Sequence, residues 1–167
     1  FYLSEITTYL SEWINIKNQR THQDIEFIVN DLTLSKRFKL YTDKLKLKQI
    51  LINIISNSYK FTKNGDITLT ITREIINSKQ YTKFHIRDTG DGMDKFTMKN
   101  LFNPFFSKNG GNKNKEGCGL GLVLSMRMSK NLGLPIEVES EENKGTSMWF
   151  YIEEKEKIEG SENYNKT

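Results

Sequence analysis

Between Lys44 and Phe61 the residues Leu47, Ile50, Leu51, Ile54 and Ile55 recur at helical spacing, with Asp43 in front as an N-cap and Asn64-Gly65 behind as a stop. A helix this apolar needs a matching surface to bury its stripe. Two segments supply one by period-two alternation: 66–72 sets Ile67, Leu69 and Ile71 among threonines, and 81–88 sets Phe84 and Ile86 among Lys83, His85 and Arg87. Two further strands, 136–140 and 146–152, flank a turn at 142–145. Another two, 24–30 and 37–41, are joined by a turn around 31–35. Leu3, Ile6, Tyr9, Leu10, Trp13 and Ile14 make 2–18 an amphipathic helix, and a third helix spans 119–132, ending at Gly133 with Pro135 just beyond. Helices and strands mix without strict strand–helix–strand alternation, so the expected class is α+β, a two-layer sandwich.

At 167 residues the chain is one ordinary domain. We assign 1–153 to it and read 154–167 as a charged tail or linker. Lysine and arginine number 25 against 21 acidic residues, a net +4 that is scattered along the chain and not gathered into a basic stripe, so nucleic acid is not the expected partner. Cys118 is the lone cysteine and has no internal disulfide partner. No apolar run approaches the roughly 18 residues of a membrane span. These features fit a cytoplasmic domain. The chain opens at Phe1 inside an amphipathic pattern, which reads as the interior of a longer protein whose membrane attachment stays open.

Three clusters carry chemistry. Within the apolar helix, Asn53, Asn57 and Lys60 share one narrow stripe beside the core stripe. Carboxamide oxygens there suit a divalent ion and the ammonium suits phosphate, although spacing alone favours a solvated helix flank. Asp88 has the parity of Phe84 and Ile86 and so faces the core, where a carboxylate needs donors. It leads into Thr89-Gly90-Asp91-Gly92-Met93, in which two glycines permit a tight turn and close approach to a flat ligand; such runs also mark ordinary turns. Gly117-Cys118-Gly119-Leu120-Gly121-Leu122 follows a polar loop at 103–117 and opens a helix, freeing backbone N–H groups for an anion. Dinucleotide folds place such glycines right after a first strand, so this late position excludes them.

Taken together and in this order, the segments resemble the N, G1, F and G2 boxes of histidine-kinase catalytic domains, members of the GHKL superfamily with the Bergerat fold. The N box is 43–62, the G1 box 88–93, the F box 101–107 and the G2 box 117–122, and Lys144-Gly145-Thr146 is similar to the lead into the family's last strand. The implied architecture is a mixed, mostly antiparallel sheet covered on one face by three helices. The resemblance also implies that Asp88 accepts the adenine amino group with Thr146 assisting. Phe61, Met93 and Phe105 line the nucleotide, Gly90 and Gly92 let the base sit close, and Asn57 ligates Mg²⁺ with Asn53 beside it. Lys60 meets phosphate. Gly117, Gly119, Leu120, Gly121 and Leu122 wrap the phosphates, and a lid cation among Lys108, Lys113 and Lys115 reaches the terminal one. Asn103 departs from the acidic residue commoner in the F box, and Leu134-Pro135 from a glycine commoner after Gly133.

The implied activity is binding of ATP with Mg²⁺ and donation of the γ-phosphoryl group to a histidine on a separate helical domain of a homodimeric parent. A response-regulator receiver domain is the next acceptor, and the isolated domain is expected to be a monomer. Related ATP-driven clamps resemble one another in carrying a glutamate, as general base, one turn before the metal-binding asparagine; here that position is Asn53, which cannot take a proton. His22 and His85 lack a neighbouring acid in helical register and read as surface residues. The alternative is a nucleotide-binding scaffold without kinase activity.

Overall fold

The computed structural model describes residues 1–33, 39–106 and 119–155. Element order is α1 (Leu3–Thr21), β1 (Ile25–Asp31), α2 (Lys44–Phe61), β2 (Gly65–Ile76), β3 (Lys79–Asp88), α3 (Lys95–Asn100), α4 (Gly121–Leu132), β4 (Gly133–Glu141) and β5 (Gly145–Glu153). The strands form one five-stranded sheet in the order β1-β2-β3-β5-β4. β1 runs parallel to β2, and every other neighbour is antiparallel. This is the α+β, Bergerat-type arrangement expected from the sequence.

The alternation in the strands decides where the core lies. Ile67, Leu69 and Ile71 of β2, Phe84 and Ile86 of β3, and Met148, Phe150 and Ile152 of β5 are buried on one face. Phe84 and Phe150 are register partners, their rings stacked with centroids 5.2 Å apart. Leu3, Ile6, Leu10 and Ile14 of α1 and the apolar stripe of α2 join the same core, and Leu122, Met126, Met128 and Leu132 of α4 pack against it. The other face of the sheet carries His85, edge-on to Trp149 with ring centroids 5.8 Å apart; burial, with Lys83 and Arg87 nearby, lowers its pKa.

Asp43 caps α2 as expected, its carboxylate accepting from the N–H groups of Leu45 (3.1 Å) and Lys46 (3.0 Å). Two local expectations are corrected, and one helix is new. The helix expected from residue 119 begins at Gly121, because Gly119 has φ +68 and stands outside right-handed helical space. Of segment 37–41, the described residues 39–41 do not pair with β1: Lys39 makes an isolated bridge to Tyr2, and Leu40 N–H donates to the carbonyl of Phe1 at 3.1 Å, while β1 pairs with β2. Residues 37 and 38 of that segment, and 34–36 before it, lie outside the described residues. α3 was not anticipated; six residues are too short for a periodic signal, and its only mark is Asp94, which caps it by accepting from Thr97 N–H at 2.7 Å.

Past β5, Glu154 remains tied to the sheet. Its N–H donates to Gln80 O, and its carboxylate accepts from Arg73 Nε (2.9 Å), Arg73 Nη2 (2.6 Å) and Thr82 Oγ1 (2.9 Å). Burial works against ionisation of Glu154, but Arg73 and Thr82 outweigh it and hold its pKa below the usual range.

Candidate functional site

β3 ends at Asp88, and strand parity turns its carboxylate inward, where it is 4% exposed. Oδ1 accepts from the N–H groups of Gly90 (3.0 Å) and Thr146 (3.1 Å), and the Ser58 hydroxyl of α2 also bonds the carboxyl. Burial nevertheless dominates and raises its pKa, with Asp66 adding to the rise and the three donors opposing it. One carboxylate thus joins α2, the segment 88–93 and the start of β5.

The glycines after Asp88 are required by the protein's own packing. A Cβ on Gly90 would stand 2.5 Å from Phe61 O and 2.8 Å from Thr62 Oγ1. Gly92 has φ +65, and a Cβ there would stand 2.0 Å from Glu141 O, a backbone atom at the end of β4. Gly92→Ala is therefore expected to lower stability by about 3 kcal/mol, from a left-handed residue and a backbone clash together. Urea unfolding measures this, and an unchanged midpoint would mean that the turn yields freely. The Met93 N–H donates to Ser140 Oγ at 2.9 Å, and Ser140 Oγ also meets Thr146 Oγ1 at 2.9 Å. Met93 and Thr146 are thereby fixed beside Asp88.

On α2, Asn53 and Asn57 are both half-buried but differ in their bonding. Asn53 Nδ2 donates to Gly121 O (3.1 Å) and Ser125 Oγ (2.8 Å), and its Oδ1 accepts from Gln49 Nε2 (2.9 Å). Asn57 makes no side-chain hydrogen bond among the described residues. Lys60 is exposed, its ammonium 4.9 Å from the Phe61 ring, and Phe61 is 42% exposed.

α4 starts at Gly121 with Leu120 as its N-cap, and no side chain among the described residues caps its first N–H groups. A Cβ on Gly119 would stand 2.9 Å from the backbone of Phe105 and Phe106, which seats 101–106 against the start of α4. Phe105 has φ 63 and its side chain is 74% exposed, while Leu120 and Leu122 are half-buried. Gly117, Cys118, Lys108, Lys113 and Lys115 lie outside the described residues. A depression of about 290 Å³ is lined by Asp88, Ser140 and Thr146 together with Arg87, Glu139, Lys144 and Ser147; no residue of α2 or α4 lines it.

Sequence reasoning missed Ser58, Gln49, Ser125 and Ser140. Each is a small or neutral polar residue buried or bonded beside the expected site, and none belongs to a motif with its own spacing.

The arrangement is that of a nucleotide-binding α+β domain: a buried carboxylate at a strand end and, among the described residues, a carboxamide on a helix without a hydrogen-bond partner and a helix N-terminus without a side-chain cap. Residues 42–156 match the family described as histidine kinase-, DNA gyrase B-, and HSP90-like ATPase, and the chain belongs to that family. It is 31% identical over 152 residues to the signal transduction histidine-protein kinase BarA of Escherichia coli (strain K12), covering 90% of this chain and 16% of BarA. It is 36% identical over 63 residues to the virulence sensor protein BvgS of Bordetella bronchiseptica, covering 38% of this chain and 5% of BvgS. The chain thus spans a small part of these relatives. Among solved structures, full-length ShkA in complex with AMPPNP superposes with a TM-score of 0.71 at 24% identity, over 93% of this chain and 31% of ShkA. The mycobacterial sensor histidine kinase MprB does so with a TM-score of 0.67 at 19% identity, over 93% of this chain and 97% of that one. Both carry the same fold.

Proposed function

We propose that this domain binds ATP with Mg²⁺ and presents the γ-phosphoryl group to a histidine on a separate helical domain of its parent, from which the group passes to a receiver aspartate. The observation that carries this reading is the contact between Asn53 and Gly121, because it sets the helix stripe bearing Asn57 and Lys60 against the uncapped start of α4. A polyphosphate laid there meets backbone N–H groups from one side and Asn57 and Lys60 from the other.

The donor set fits Mg²⁺. Asn57 offers a hard oxygen with no competing partner among the described residues, and those residues hold no group of three or more His, Cys, Asp or Glu that would form an all-protein cage. That is the pattern for an ion held mainly by phosphate oxygens and water. When bound, the ion neutralises phosphate charge. Asp88 takes the adenine amino group, Thr146, Phe61 and Met93 border the base, Phe105 stands at the mouth, and Gly119, Leu120, Gly121 and Leu122 present backbone to the phosphates. Asn53 cannot accept a proton from water, so hydrolysis is slow and the work of the domain is positioning and charge neutralisation.

No helix among the described residues is long and apolar enough to cross a membrane. We place the domain on the cytoplasmic side of its parent, as a monomer when isolated. The test is the melting temperature with and without a non-hydrolysable ATP analogue, plus and minus Mg²⁺. At 100 times the dissociation constant the ligand adds about 2.7 kcal/mol, a rise of roughly 5–10 °C that should require Mg²⁺. No rise at millimolar nucleotide would favour a scaffold role.

A further inference from the structure

Asn53 stands one turn before Asn57 on α2, yet its side chain is spent on the neighbouring helix. The Gly121 carbonyl can only accept, so Nδ2 is the atom that faces it, and Oδ1 is left for Gln49. The second Nδ2 hydrogen goes to Ser125 Oγ at 2.8 Å. Ser125 is fully buried, one turn into α4 on the side facing α2. Every hydrogen of the Asn53 amide therefore has a partner on α4, and both partners lie in its first turn and a half.

We propose that Gln49, Asn53 and Ser125 form a latch that fixes the start of α4 against α2, and that Ser125 is a positioning residue for the β- and γ-phosphates of ATP. This rests on the nucleotide reading above. The phosphates sit between Asn57 and the N–H groups of Gly121, Leu122 and Val123, so their binding depends on the separation of two helices. Apart from van der Waals packing, the two Asn53 bonds are the polar connection between α2 and that turn among the described residues. Gln49 turns the carboxamide the right way round. The adenine end, built on Asp88, Ser58 and Thr146, shares none of these bonds.

The latch makes a selective forecast. Ser125→Ala removes one acceptor, keeps the helix and nearly keeps the volume. Affinity for an ATP analogue with Mg²⁺ should fall about 5- to 10-fold, the loss of one buried hydrogen bond, while affinity for AMP, which lacks the β- and γ-phosphates, stays within about twofold. Gln49→Ala, an exposed change that leaves the core untouched, should lose in the same selective way by a smaller factor. In a double-mutant cycle, Asn53→Ala combined with Ser125→Ala should cost less than the sum of the two. Titration calorimetry on the intact chain reads all of these. Equal losses for AMP and the ATP analogue, or no loss in Ser125→Ala, would overturn the latch. A wild-type chain that binds neither nucleotide would overturn it together with the nucleotide reading, and the wild-type titration separates the two failures.

Discussion

Replacing Asn57 by alanine should abolish the Mg²⁺-dependent part of nucleotide binding, so that affinity for an ATP analogue in Mg²⁺ falls to the value measured in a chelator. The reason lies in the contrast along one helix stripe. Asn53 is fully engaged with α4, whereas the Asn57 carboxamide, half-buried one turn later, makes no hydrogen bond among the described residues. A half-buried amide left unpaired costs free energy unless water or a ligand meets it. In the proposed reading its oxygen would be the hard donor to Mg²⁺, an ion that readily keeps phosphate and water as its other ligands. Alanine keeps the helix and breaks no side-chain hydrogen bond among the described residues, so the free variant should melt within about 2 °C of wild type, a change of under ~0.5 kcal/mol. Calorimetric titration in Mg²⁺ and in chelator checks both halves. A variant that keeps the full Mg²⁺ increment would move the metal to another ligand, and Asn53 would then have to break its bonds to reach it.

What was legible in the sequence divides along physical lines. α2 could be placed residue for residue because its period, its N-cap and its stop coincide, and local signals of that strength leave no room for a rival structure. Asp88 could be seen facing inward from strand parity alone, since a period of two assigns a face to every residue once two apolar neighbours are known. Pairing was harder to read. Segment 37–41 has strand composition, but whether it meets β1 or Tyr2 depends on contacts far away in the chain, and β2 takes the whole length of β1 in parallel register. The glycines at 90 and 92, expected to let a ligand sit close, also have a reason in the fold that the local sequence does not show: the contacts that exclude a Cβ come from Phe61, Thr62 and Glu141, all distant in sequence. Ser58 and Ser125 carry no motif. Their importance comes from which buried atom they meet, and only the packing of α2 against β3 and α4 decides that.

Asp88→Asn should uncouple stability from recognition. In the folded chain burial raises the Asp88 pKa above its ordinary value, so the native state binds the proton more tightly than the unfolded state does. Where native is protonated and unfolded is not, stability falls as pH rises, and this window runs from the ordinary carboxylate value of about 3.8 up to the raised native one. Above it, at neutral pH, the ionised carboxylate is a standing cost to the free domain. Asparagine removes that charge while its Oδ1 keeps accepting from the Gly90 and Thr146 N–H groups, and the Ser58 hydroxyl can turn to accept where it donated, so the free variant should melt at or above the wild-type temperature at pH 7. Its other atom, however, becomes an NH₂ aimed where the carboxylate oxygen would receive the adenine amino group. Donor then faces donor, a charge-assisted bond is lost, and affinity for the ATP analogue should drop by roughly a hundredfold. A guanine carbonyl suits the new donor, so the preference for ATP over GTP should shrink or reverse. Melting curves at pH 7 with each nucleotide measure stability and selectivity together. A variant that melts well below wild type would show that the carboxylate's charge holds the G1 segment in place, and one that still prefers ATP as strongly would remove Asp88 from base recognition.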